Sequence, residues 1–134
     1  MNIQIDLTNE NFQLIINCCR VQLSQVILNL LGNSFDAIEN LEERWVEVRC
    51  EKNEQNLIIK LIDSGNGIPS AIKEKIFQPF FTTKEIGKGT GLGLSLSHSI
   101  IKNHQGIFSL DENMKNTCFV ITLPLYGVLN AQAS

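Results

Sequence analysis

The sequence predicts an α/β (α+β) fold: a two-layer sandwich with a mixed, mostly antiparallel sheet of about five strands and about three helices on one face. Three observations carry this. Ile3-Gln4-Ile5-Asp6-Leu7 alternates apolar and polar residues with the period of a half-buried strand. Between 21 and 41, Leu23, Val26, Ile27, Leu30, Leu31, Ala37, Ile38 and Leu41 recur at helical spacing. The β-rich runs Trp45 to Cys50 and Leu57 to Ile62 flank Lys52-Asn53-Glu54-Gln55-Asn56, the pattern of a hairpin, so neighbouring strands run antiparallel.

The elements follow in order. After the first strand, Thr8-Asn9-Glu10-Asn11 leads to a second strand over Phe12 to Ile16. The long helix and the hairpin come next. Asp63-Ser64-Gly65-Asn66-Gly67-Ile68-Pro69 is a turn, and Ser70 to Ile76 reads as a short helix. Residues 77–91 form a long loop, and loops of that length in compact domains are often functional lids. A helix over Leu92 to Asn103 and strands over Ile107 to Leu110 and Phe119 to Leu123 close the domain, which occupies 1–126, with 127–134 a frayed tail. The sheet face away from the helices needs either a partner or polar alternation along its strands.

Composition sets limits. The chain has 134 residues, 43% hydrophobic and 19% charged, a globular balance for one domain with a sizeable core. The net charge is −3 with no basic run, which speaks against a nucleic-acid partner. No apolar run approaches membrane-spanning length, so no direct membrane contact is expected. Cys18, Cys19, Cys50 and Cys118 form no CxxC pair and read as small hydrophobes in a reducing compartment. His98 and His104 lie six apart, not at zinc-ligand spacing, and are assigned no metal.

Three motifs carry chemistry. Gly87-Lys88-Gly89-Thr90-Gly91-Leu92-Gly93-Leu94 places glycines at alternate positions and runs into a helix. Glycine allows a close backbone approach, and a helix start offers unpaired N–H groups and a positive dipole end. The loop suits polyphosphate; a mobile surface loop ending in an ordinary cap is the other reading. It is neither a P-loop, which needs a glycine at Thr82, nor a dinucleotide fingerprint, because Pro79 interrupts the segment where a strand would stand. Asn29, Asn33 and Asp36 lie within roughly 60° of one another on the long helix. An amide oxygen there could complete a magnesium shell shared with phosphates, and a solvent-facing stripe fits the same residues. Asp63 ends an apolar run. A carboxylate at a strand end can accept from the exocyclic amine of adenine and reject the carbonyl of guanine, or it can simply open a turn.

Taken together, the sequence resembles the ATP-binding catalytic domain of sensor histidine kinases, in the superfamily that includes gyrase, Hsp90 and MutL. The N box is Gln25-Val26-Ile27-Leu28-Asn29-Leu30-Leu31-Gly32-Asn33-Ser34-Phe35-Asp36-Ala37. The first glycine box is Asp63 to Pro69, and the F box is Ile76-Phe77-Gln78-Pro79-Phe80-Phe81-Thr82-Thr83-Lys84. The second glycine box is Gly87 to Ser95, and the likeness runs on through Ile101-Lys102-Asn103-His104-Gln105-Gly106 to Thr122-Leu123-Pro124. The resemblance implies the Bergerat-type ATP-binding fold, with ATP and Mg2+ as cofactors. It implies Asn33 as the magnesium ligand, Asp63 as the adenine acceptor, and Gly65 and Gly67 as the turn beneath the base. Lys84 is expected to reach the terminal phosphates, with Gly87, Gly89, Gly91 and Gly93 in a lid around them. The same correspondence assigns nucleotide contacts to Asp36, Ile68, Phe80, Thr83, Thr90, Leu92, Leu94 and Thr117, and catalytic roles to Asn29, Asn33 and Lys84.

Asn29 stands where the hydrolytic relatives usually carry a water-activating acid. Asparagine cannot act as that base, so the resemblance implies ATP held for transfer. The Asn-x-x-Asp-Ala form ending at Asp36-Ala37 resembles the nitrogen-regulation-type kinases. Two departures stand out. The acid that often precedes the N box is missing around Asn17 to Arg20. Asn116-Thr117-Cys118-Phe119 replaces the frequent Gly-Thr-Thr-Phe, so Cys118 takes the place of a threonine that helps hold adenine through water. The implied partners are a helical dimerisation and phosphoacceptor domain on another segment or chain, and a response regulator receiver domain, in the cytoplasm. The chain is expected to bind ATP without labelling itself, and 82–89 to be its most mobile part without nucleotide. A serine-kinase anti-sigma factor and a pseudokinase interaction module are the alternatives.

Overall fold

The computed structural model describes residues 2–7, 18–81 and 93–125, with the backbone alone for 2–7. The elements are β1 (Asn2–Leu7), α1 (Arg20–Ile38), β2 (Trp45–Lys52), β3 (Asn56–Asp63), α2 (Gly93–Asn103), β4 (Ile107–Leu110) and β5 (Cys118–Pro124). The sheet order is β1-β2-β3-β5-β4. β1 runs parallel to β2, and every other pairing is antiparallel. The mixed, mostly antiparallel five-stranded sheet is therefore as expected. The strand expected over Phe12 to Ile16 lies outside the described residues.

Alternation along the strands creates the two faces. Ile59, Leu61, Phe119, Ile121 and Leu123 are buried, and the register sets Leu61 against Phe119 and Ile59 against Ile121. With Phe108 of β4 they meet Val26 and Leu30 of α1 and Ile100 and Ile101 of α2 in one core. The opposite face carries Glu47, Arg49, Glu51 and Lys60, where Arg49 pairs with Glu47 and Lys60 Nζ lies 3.6 Å from Glu51 Oε2. Polar alternation thus covers part of that face, while Ile62 and Cys118 are buried on it. Ile107 on the edge strand is left 64% exposed.

α1 buries Val26, Leu30, Ser34 and Ile38, a stripe repeating every four residues. It stops at Ile38, three residues short of the expected Leu41. Beyond Ile38 no apolar side chain continues the stripe, and Leu41 N instead bonds to Ile38 O at 3.0 Å in a turn. Cys19 caps the start with no side-chain bond; its N–H is taken by His104 Nε2 at 3.0 Å, while His104 Nδ1 lies 2.7 Å from Ile100 O. The end of α2 thus holds the start of α1.

The short helix expected over Ser70 to Ile76 is not formed. The bonds there are mostly of the tighter three-residue kind, Ile72 N to Pro69 O at 3.0 Å and Lys75 N to Ile72 O at 2.9 Å, with a single helical one, Ile76 N to Ile72 O at 3.1 Å. Successive turns replace the helix, so the described residues hold two helices rather than three. Ile72, Ile76, Phe77 and Phe81 still pack on the core, so apolar burial rather than helical bonding fixes the segment.

Candidate functional site

The candidate site lies where the end of β3 meets α1. Asp63 is 1% exposed on the helix-facing side of the sheet. Burial pushes its pKa up, and three donors pull it back: the Gly65 N–H and the Ser34 and Thr117 hydroxyls. Gly65 N donates to Asp63 Oδ1 at 2.8 Å. The turn is tied to β5 by Thr117 N to Gly65 O at 3.3 Å, Asp63 N to Thr117 O at 3.0 Å, and Gly67 N to Thr117 Oγ1 at 3.1 Å. Asn116 Nδ2 adds a bond to Gly65 O at 3.1 Å.

Two glycines are required here. Gly67 has φ +88, a region closed to most side chains, and a Cβ on Gly65 would sit 2.8 Å from Asp63 Oδ1 and 3.2 Å from Thr117 Oγ1. Only hydrogen at Gly65 leaves the carboxylate an open side. Ser34 Oγ, buried on α1, approaches the same carboxylate but makes no hydrogen bond of ordinary geometry. A buried acceptor, a cradle kept free of side-chain atoms and an unpaired hydroxyl together fit a planar ligand that donates an amine proton.

The polar stripe lies on the same helix as Ser34. Asn29 and Asn33 are half-buried and Asp36 is exposed, one helical line aside from the buried stripe. Asn29 Nδ2 reaches Ser97 Oγ of α2 at 3.5 Å, so this side chain spans the two helices. The Asn33 amide oxygen is of the hard, neutral type that suits a magnesium ion shared with phosphate oxygens.

The structure brings together Asp63, Gly65, Gly67 and Thr117, with Ile68 packed behind the turn and Leu94 on α2 against the core. Gly93 is the first residue of α2. Phe80 is not brought in: it is 73% exposed at φ 67, and Phe81 is the ring that packs inward. The Cys118 expectation is corrected as well. The register pairs Cys118 with Ile62, on the face opposite Asp63, so Thr117 is the side chain beside the carboxylate. Thr83, Lys84, Gly87, Gly89, Thr90, Gly91 and Leu92 lie outside the described residues. His98 stacks on Phe77 at 5.3 Å and His104 links the helices, which gives each a packing role.

Ser34 and Asn116 escaped the reading of the sequence. For Ser34 the signal was present, a polar residue exactly four places beyond Leu30 in a stripe otherwise apolar. Asn116 carries no such signal, since an asparagine ahead of a strand is common in loops.

Comparison with known proteins shows the family. Residues 19–127 match the family model described as histidine kinase-, DNA gyrase B-, and HSP90-like ATPase. The chain is 35% identical over 121 residues to the C4-dicarboxylate transport sensor protein DctB of Rhizobium meliloti, covering 90% of this chain and 19% of that protein. It therefore spans about a fifth of the length of that relative. The nucleotide-free catalytic domain of histidine kinase ThkA superposes with a TM-score of 0.78 at 33% identity, covering 92% of this chain and 78% of that one. ThkA in complex with the response regulator protein TrrA superposes with a TM-score of 0.73 at 28% identity, covering 92% of this chain and 34% of that one.

Proposed function

The chain belongs to the histidine kinase-, DNA gyrase B- and HSP90-like ATPases, and from that membership we propose that it binds Mg-ATP and passes the γ-phosphoryl group to a histidine on a separate helical dimerisation domain. The observation that carries this reading is the Asp63 cradle: a buried carboxylate held by donors on two sides, with Gly65 keeping the approach open.

Asp63 accepts from the exocyclic amine of adenine, and a 6-oxo base would set oxygen against oxygen there. The Gly65–Gly67 turn, fixed by Thr117 and Asn116, forms the flat support beneath the base. Asn33 would hold Mg2+, which would supply positive charge beside the phosphates. Asn29 ties α1 to α2 through Ser97 and cannot deprotonate water, which favours transfer over hydrolysis. Lys84, Thr83, Thr90 and the glycines from Gly87 would enclose the phosphates. Asp36, exposed beside Asn33, borders the same end of the helix.

The phosphoacceptor helix and a response regulator receiver domain are the protein partners of this reading; the ThkA–TrrA complex supports the second. Among the described residues no helix is long and apolar enough to cross a membrane. ATP as substrate places the domain on the cytoplasmic side of any membrane in the parent protein.

The test is binding with label transfer. The chain should bind Mg-ATP in clear preference to Mg-GTP. It should remain unlabelled by γ-labelled ATP alone and transfer label when a cognate helical domain is added. Failure to bind Mg-ATP at about millimolar levels, the upper end of ordinary substrate affinities, would overturn the reading in favour of an interaction module.

A further inference from the structure

The buried hydroxyl of Ser34 has no use in the fold. It is 2% exposed in the middle of α1, where a serine ordinarily turns to solvent or bonds back to the carbonyl four residues earlier. Ser34 does neither: its Oγ is the one buried side-chain N or O atom among the described residues without a hydrogen-bond partner. It occupies a position in the stripe whose other members are Val26, Leu30 and Ile38, where an aliphatic residue would cost nothing. The polar group it approaches is Asp63.

The donors around Asp63 come from three elements. The turn supplies Gly65 N–H at 2.8 Å. β5 supplies the Thr117 hydroxyl, whose oxygen already accepts from Gly67 N–H at 3.1 Å, leaving its proton for the carboxylate. α1 supplies Ser34. Among the described residues, the groups that favour the charged form of Asp63 are these neutral donors. We propose that Ser34 is a positioning residue for base selection, its hydroxyl turning to donate to the Asp63 carboxylate when the base is bound, so that this group holds the base as an ionised, fixed acceptor.

The inference rests on the ATP reading above and adds a residue to it. An ionised carboxylate only accepts, so it takes the 6-amino base and rejects the 6-oxo base. Without the Ser34 donor the carboxylate is free to turn or to carry a proton, and a protonated carboxyl can donate to a 6-oxo group. Selection between the two bases therefore weakens when the hydroxyl is removed.

Binding of Mg-ATP and of its 6-oxo counterpart Mg-ITP to the unaltered chain, Ser34→Ala and Ser34→Thr tests this, with a melting curve for each. Ser34→Ala should lower ATP affinity about tenfold and shrink the ATP-to-ITP preference by a similar factor, the scale of one hydrogen bond to a charged group. Its melting temperature should change little, since in the free chain the hydroxyl makes no hydrogen bond of ordinary geometry. Ser34→Thr, which keeps the hydroxyl, should restore the preference. An unchanged preference in Ser34→Ala, equal weakening of both nucleotides, or a Ser34→Thr variant that behaves like Ser34→Ala would each overturn the proposal while leaving the ATP reading intact. An unaltered chain that binds neither nucleotide, or both equally, would overturn the two together.

Discussion

A buried carboxylate such as Asp63 loads the fold with a charge that the proposed adenine contact would use. Burial raises its pKa above that of the unfolded chain. The folded state therefore favours the protonated form. The stability this contributes is fully present below the unfolded value of about 4 and is lost as pH rises through the folded value. At neutral pH the ionised group works against folding. Asp63→Asn removes that charge, and its amide oxygen can still accept from Gly65 N–H. Its melting temperature should exceed that of the unaltered chain at about pH 7, and the gap should close near pH 4. ATP binding should be lost at both. A melting temperature lowered at neutral pH would show that the carboxylate instead stabilises the free chain. The place of Asp63 at the strand end was legible because an acid ending an apolar run is conspicuous. Thr117 against Cys118 was not, because a one-residue difference in register decides which side chain shares the face of Asp63, and only the pairing with Ile62 fixes it.

At the scale of elements, the exit from α2 is the most constrained junction described. Gly106 N bonds to Ile101 O at 2.9 Å and Gln105 N to Lys102 O at 3.0 Å, the paired bonds of a Schellman turn. Gln105 takes the left-handed position with φ 58, which costs a residue with a side chain. Gly106 has an ordinary conformation but no room: a Cβ there would stand 2.6 Å from the Thr122 carbonyl oxygen. Adjacent substitutions should thus have opposite signs. Gln105→Gly should stabilise by about 1 kcal/mol, and Gly106→Ala should destabilise by about 1–3 kcal/mol through overpacking. Urea unfolding of both variants reads this directly, and equal signs would refute the assignment. The β2–β3 hairpin and both long helices were legible because their periodicity extends over many residues. The Ser70–Ile76 segment was misread because its apolar residues mimic a helix over about one turn, too short for periodicity to tell a helix from a chain of tight turns.

For the whole molecule, strand composition was legible and strand order was not. Nothing local in Cys118–Pro124 says that it inserts between β3 and β4; that choice follows from burying Phe119, Ile121 and Leu123 under both helices. The same insertion builds the site, since it carries Thr117 and Asn116 to the Asp63 turn. Site and core therefore share their supports: the α1 that presents Ser34, Asn29 and Asn33 also places Val26 and Leu30 in the core. A ligand held by Asp63 and Asn33 joins β3, β5 and α1 and should resist global unfolding rather than stiffen one loop. At Mg-ATP about 100-fold above its dissociation constant, linkage adds about 2.7 kcal/mol, which raises the melting temperature of a domain of this size by about 10 °C. Chelating the magnesium should remove much of that shift, and Asp63→Asn should remove it with magnesium present. A full shift in Asp63→Asn would place the nucleotide elsewhere on the molecule, because no other described group offers a buried, donor-lined acceptor for the base.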